Sequence, residues 1–235
     1  MLQFLIRRLI VAILVTATVM TLAFMLTRLS GDLAISIAGP NATQADVDAV
    51  RKAYGLDRPL ADQFIDWVGR AVTGDLGESY FFKARVSDLI AERMPITLTL
   101  GITGLAIALF VSLPLGILAA VRENTALDRV VQVVALFGQA MPSFWLGLLL
   151  MITLGLQLGW LPISGTGSWQ HYVMPGIVLA FSAIPALTRL TRAGMIQAMG
   201  SDYIRTARAK GLSRASILLK HGLRNAAIPV VAIAA

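Results

Sequence analysis

Long apolar runs separated by polar stretches organise this chain. Four runs are complete, at residues 9–27, 97–121, 130–158 and 173–188. A helix needs about 20 apolar residues to cross a hydrocarbon core of about 30 Å, so the pattern predicts membrane-spanning helices. A fifth run opens near Ala226 and reaches Ala235 after ten residues, which is short of a span and predicts truncation within it. Arg7 and Arg8 precede the first run as they would in a signal peptide. Residues 9–27 are uncharged and lack a small-residue cleavage site, so they read as an uncleaved first span.

The polar segment between the first two runs carries its own helix signals. Thr43 with Asp46 resembles a capping box, and a helix from there to Tyr54 would stop at Gly55, with Leu56 behind it. Pro59 suits the first turn of a second helix, in which Leu60, Phe64, Trp67, Val68 and Ala71 share one face. Gly74 and Gly77 then predict a turn. This unit is either a cap over one mouth of the bundle or a docking surface for an external partner. The chain therefore divides into an N-terminal segment with the first span (1–30), an extracytoplasmic segment (31–96) and a core (97–235).

Composition agrees with a bilayer protein: 57% of residues are hydrophobic, 14% are charged and mean hydropathy is +0.74, against about 25% charged in soluble domains. The net charge of +7 does not point to nucleic acid, because the cations gather at the ends of apolar runs, as the positive-inside rule expects. Eight Lys and Arg residues lie between Arg189 and Arg224, and none lies in 159–172. The segment 31–95 holds seven, balanced by ten acids, and long loops obey the rule poorly. The N-terminus is therefore expected in the cytoplasm, with the basic loop 189–225. Trp160 and Trp169 read as interfacial anchors.

No catalytic or metal chemistry is evident. The sequence has no Cys, and His171 and His221 fall on opposite sides of the predicted membrane. There is no phosphate-binding G-x-x-x-x-G-K-[ST] loop and no H-E-x-x-H. No cofactor is expected. The four complete runs contain no Asp, Glu, Lys or His, which weakens an ion-driven carrier, since such carriers commonly place ionisable groups there. Pro114, Pro142 and Pro185 inside the runs free backbone carbonyls, which can line a pathway but more often only set kinks and packing, so no substrate contact is assigned to them.

The basic loop carries the strongest signal. Ser201 can cap a helix over Asp202–Lys210, with Asp202 favourable in its first turn. Gly211 stands where a left-handed residue is wanted, and Leu212 follows as its hydrophobic partner. Ser213 can cap a second helix through Arg224, and Asn225 can cap the fifth span. A short helix held off the membrane suits insertion into a groove on a soluble partner, with Ala207 and Ala209 allowing close approach. A pair of basic helices bound to anionic headgroups explains the charge equally well.

The stretch Arg205–Leu212, followed by Lys220–Val230, resembles the cytoplasmic "EAA" loop of ABC importer permeases, most closely those of the dipeptide/oligopeptide/nickel group. Ala207 and Gly211 match that pattern. Arg205 stands at its Glu position, Thr206 at its first Ala, and Pro229 replaces a Pro expected at Arg224. Phe4–Leu9, Tyr54–Leu60, Gly74–Ser79, Met141–Trp145 and Leu158–Pro162 are similar to other parts of that group. The resemblance implies an all-α, polytopic type I permease fold with six spans, five of which begin in this chain. It implies a multi-pass protein of a bacterial or archaeal inner membrane. It also implies a second homologous permease, two ATP-binding cassette ATPases that carry out hydrolysis, and an extracytoplasmic solute-binding protein. The coupling loop would comprise Asp202, Arg205, Ala207, Gly211 and Leu212. Two alternatives stay open on the residues alone: an ion-coupled secondary carrier, and a non-transporting membrane scaffold.

Overall fold

The computed structural model describes residues 2–79 and 81–234, with side chains at 233 and 234 excepted. Among the described residues it is helical, apart from one two-stranded hairpin. Among these residues three helices are long and apolar enough to cross a membrane, and a bent pair of helices makes a fourth candidate. The chain divides into two compact units, Met1–Glu92 and Arg93–Ala235.

In the first unit, α1 (Leu2–Leu29) is the first span, and a short α2 (Leu33–Ala38) follows. Helix α3 (Gln44–Ala53) has the expected capping box: Asp46 accepts from the Thr43 N–H at 2.9 Å, and Thr43 Oγ1 accepts from the Asp46 N–H at 3.3 Å. The Thr43 hydroxyl, which donates to Asp46 Oδ2 at 2.7 Å, and then the Thr43 N–H hold the Asp46 carboxyl below its usual range. Asp32 is held low in the same sense, first by the Ala34 N–H and then by Arg51, 2.5 Å away.

Helix α4 (Leu60–Val72) begins one residue after Pro59. Phe64 and Trp67 pack on Phe24 of α1, with ring centroids 5.2 and 5.9 Å from it. Leu60, expected on that face, is half exposed, whereas Gln63 is buried. The Gln63 amide donates to the carbonyls of Arg58 (2.7 Å) and Leu56 (3.3 Å), tying down the turn before the helix. The Gly74–Gly77 turn leads into β1 (Glu78–Ser79) and β2 (Ala84–Arg85), paired antiparallel, a hairpin too short for the residue pattern to announce.

The second unit is the apolar core. Helix α5 (Val86–Val121) enters it from Arg93 onward. Its buried residues Gly104, Ala108, Ser112 and Gly116 recur every fourth position, a small-residue stripe that lets a neighbouring backbone approach closely. That neighbour is α8 (Gln170–Met199): a methyl on Gly116 would stand 2.5 Å from Thr191 Cβ, and one on Gly176 2.8 Å from Thr103 Cγ2. Ala108, Ala180, Leu187 and Val230 form the centre of the cluster.

The third apolar run is not one straight span. Helix α6 (Ala126–Ala140) ends at Met141, and α7 (Ser143–Leu150) starts after Pro142, continuing as a π-helix over Met151–Gln157. The two directions differ by 94°. Pro142 has no N–H and disfavours helical geometry before it, so the expected kink is a full break. The fourth run is also longer than its apolar part. Helix α8 continues past Arg189 and Arg192 to Met199, because Arg, Met, Gln and Ala are good helix formers and a helix need not stop where the apolar residues do.

Candidate functional site

The basic loop proper begins only at Gly200. Ser201 has the extended backbone of an N-cap, but its hydroxyl donates back to the Ala198 carbonyl at 2.5 Å and caps no N–H of the next helix. Helix α9 (Asp202–Ala209) buries Ile204 and Ala207 against Ile217 and Met199. It exposes Asp202, Arg205, Thr206, Arg208 and Ala209. Asp202 and Arg205 pair at 3.2 Å in full solvent, a contact of small energetic weight.

The end of α9 is fixed by its backbone. The Gly211 N–H donates to the Arg208 carbonyl (3.0 Å), and the Leu212 N–H to the Ala207 carbonyl (3.3 Å). This pair of bonds is the Schellman pattern, whose glycine must be left-handed. Gly211 has φ +74°. A β-branched residue would resist that conformation. Leu212 is partly exposed and, with Arg208, Arg214, Met199, Val121 and Ile217, lines a hollow of about 440 Å³ beneath α9.

Ser213 then caps α10 (Arg214–Ser216), accepting from the Ser216 N–H at 3.3 Å. From here the chain departs from the expected break at Asn225. A π-helical stretch, Ile217–Gly222, runs without interruption into α11 (Leu223–Ala234). Asn225 lies inside this helix, and its amide donates to the His221 carbonyl at 3.4 Å. Gly222 and Gly194 allow the close approach: a methyl on Gly222 would meet Met195 Cε at 3.2 Å, and one on Gly194 would meet the Ala226 backbone at about 3 Å.

The structure thus brings Asp202, Arg205, Gly211 and Leu212 to one exposed hairpin and places Ala207 beneath it. Ala207 is a spacer that lets α9 lie close on Ile217, and of the two alanines expected to admit a partner only Ala209 faces outward. The spacing of Ile204 and Ala207 carried that signal, since i and i+3 share a helix face.

An ion pair with no local sequence signal anchors the support of this hairpin. Arg192 of α8 donates two hydrogen bonds to the buried Asp128 of α6, both at 2.7 Å. Asp128 also accepts from the Asn124 N–H (3.0 Å) and Gln132 Nε2 (3.2 Å). Every carboxylate oxygen is therefore engaged, which a buried charge requires. Three residues below, Thr125 occupies the N-cap of α6.

Apolar helices long enough to cross a membrane, with a cationic hairpin following the last long one, fit an all-α, polytopic permease of the type I ABC fold. The comparisons identify which kind. Residues 112–235 match the family described as binding-protein-dependent transport system inner membrane component, and residues 1–101 match its N-terminal domain. The chain belongs to this family of ABC importer permeases. It is 43% identical over 232 residues to the glutathione transport system permease protein GsiC of Escherichia coli strain K12, covering 98% of this chain and 76% of that one. The Shigella dysenteriae serotype 1 and Shigella flexneri serotype 5b proteins of the same name are 43% and 42% identical over the same shares. The protein is accordingly a multi-pass inner-membrane transport subunit that works with a binding protein.

Proposed function

We propose that this permease forms half of a translocation path for peptides or similar small solutes, paired with a second, homologous permease. Two ATP-binding cassette ATPases on the cytoplasmic face hydrolyse ATP, and an extracytoplasmic solute-binding protein delivers the substrate. The relatives named for glutathione transport favour a small peptide of that kind. The N-terminus and the basic loop lie in the cytoplasm, an assignment supported by the cluster of Lys and Arg between Arg189 and Arg224. Residues 31–96 then lie on the opposite side, between the first span and the core 97–235.

The observation that carries the coupling role is the mounting of α9. Its inner face is packed on Ile217 and Met199, its end is locked by Gly211, and its outer face is free and polar. Such a helix moves with the bundle and presents Asp202, Arg205, Arg208 and Ala209 to a partner. Gly211→Val distorts the turn without touching the spans. The full-length protein, purified in gentle detergent, is expected to retain a second permease and a phosphate-loop ATPase, identified by mass spectrometry. The Gly211→Val variant should insert normally and lose the ATPase. Recovery of the chain alone from a preparation that still transports would overturn this assignment.

A further inference from the structure

We propose that the π-helical turn Ile217–Gly222 is a joint between the α9 hairpin and α11; it rests on the importer reading above. The turn holds one surplus residue, which lets the hairpin rotate without pulling α11 off α8. Its backbone bonds are wider than those of an α-helix: the Leu223 N–H donates to the Leu218 carbonyl, five residues back. A helix closed in this way turns by roughly 85° per residue, against about 100° in an α-helix. Over the six residues Ile217–Gly222 the lag is about 90°, close to the turn of a single residue.

The packing shows the same surplus. Ile217, Gly222, Ala226 and Val230 are buried, at spacings of five, four and four residues. They meet α8 in turn: Ile217 packs with Met199, Gly222 lies against Met195 and Met199, Ala226 lies on Gly194, and Val230 joins the cluster of Leu187. In an unbroken α-helix the five-residue step would carry Ile217 about 140° off that face. The helix is therefore held at both ends, by Ile217 under α9 and by Ala226 on the Gly194 backbone, and the π turn takes up the extra residue between them. What α8 sets against Gly222 is pliable, the thioether ends of Met195 and Met199. Tightening to α bonding rotates the hairpin against α11 by about one residue's turn while the backbone stays hydrogen-bonded. π-Helices are rare and gather at functional sites. The other π-helix, Met151–Gln157, follows α7 and leads into a loop, whereas this one lies between the docking hairpin and a span.

The test uses the full-length protein in its complete assembly, in liposomes. Deleting Leu219, which is exposed, removes the surplus residue and makes every spacing four, so a continuous α-helix keeps the same buried face. This variant is expected to co-purify with the second permease and the ATPase and to hydrolyse ATP. Its ATP-driven uptake of a mixture of glutathione, dipeptides and tripeptides should fall at least ten-fold. Leu219→Ala, which keeps the residue count, should stay within two-fold of the wild type. Hydrogen exchange over 217–223 is compared in the wild-type assembly with and without trapped nucleotide, and should change at least three-fold while 226–232 stays constant. Wild-type uptake by the deletion variant would overturn the proposal, as would an equal loss in Leu219→Ala, which would assign the effect to the side chain. Equal exchange in the two nucleotide states would also overturn it, and decides the matter if the deletion variant fails to assemble. Absence of ATP-driven uptake in the wild type would instead reject the importer reading, and the joint with it.

Discussion

Individual residues in the core are constrained in opposite ways that a substitution can expose. Gly116 has no room: an added methyl would meet Thr191 Cβ at 2.5 Å and the Thr188 carbonyl at 2.9 Å. Gly116→Ala is expected to cost about 1–3 kcal/mol through overpacking and to lower the melting temperature in detergent. Gly101→Ala, with nothing within 4 Å, should be neutral or slightly stabilising, since Ala is the better helix former by about 1 kcal/mol. Asp128 is constrained by charge. Asp128→Asn leaves Arg192 without its counter-ion and should destabilise by about 3 kcal/mol, the lower end for a broken buried pair, because Arg192 keeps some contact with solvent. Exchanging the two residues, Asp128→Arg with Arg192→Asp, should recover part of the loss, which a melting comparison of both variants with the wild type would read.

Among the elements, α9 is the most informative. Its attachment to the bundle depends on Ile204, which is fully buried against Ile217. Ile204→Ala should remove about 2–5 kcal/mol of local packing. The expected signature is faster hydrogen exchange across 202–212, with α5 and α8 unchanged; uniform protection across the loop would show that α9 is held by something other than this contact. The parts of this element legible in the sequence were those set by local chemistry. Gly211, Leu212 and Ser213 mark turn and cap by residue type alone, as Thr43 and Asp46 do for α3. The inward direction of Ala207 was readable from Ile204 three residues earlier. Asn225 misled because a good capping residue is also tolerated inside a helix once tertiary packing, here Ala226 on Gly194, holds the helix together.

For the whole molecule, apolar runs marked where spans lie and left their shape open. An apolar run with Pro142 in it reads alike whether the helix kinks or breaks, since only neighbouring helices decide which. Arg189 and Arg192 read as the end of a span because charge tracks the membrane surface, yet the helix they belong to continues to Met199. The Asp128–Arg192 pair was out of reach of any local pattern, its members being 64 residues apart. The face formed by Gly104, Ala108, Ser112 and Gly116 and its partner α8 likewise emerged only with the fold.

The unbroken course of α8 sets how this protein can change over generations. Each residue added to or removed from a helix turns everything beyond it by about 100°. One such event between Gly176 and Arg192 would aim either the α5-facing glycine or the Asp128-facing arginine at the wrong neighbour, and would swing the α9 hairpin with it. Lineages carrying this permease should therefore vary freely in residue type along the exposed side of α8 while keeping its length fixed. Additions and losses should collect instead in the stretch between Leu158 and Trp169, where no rotation is passed on.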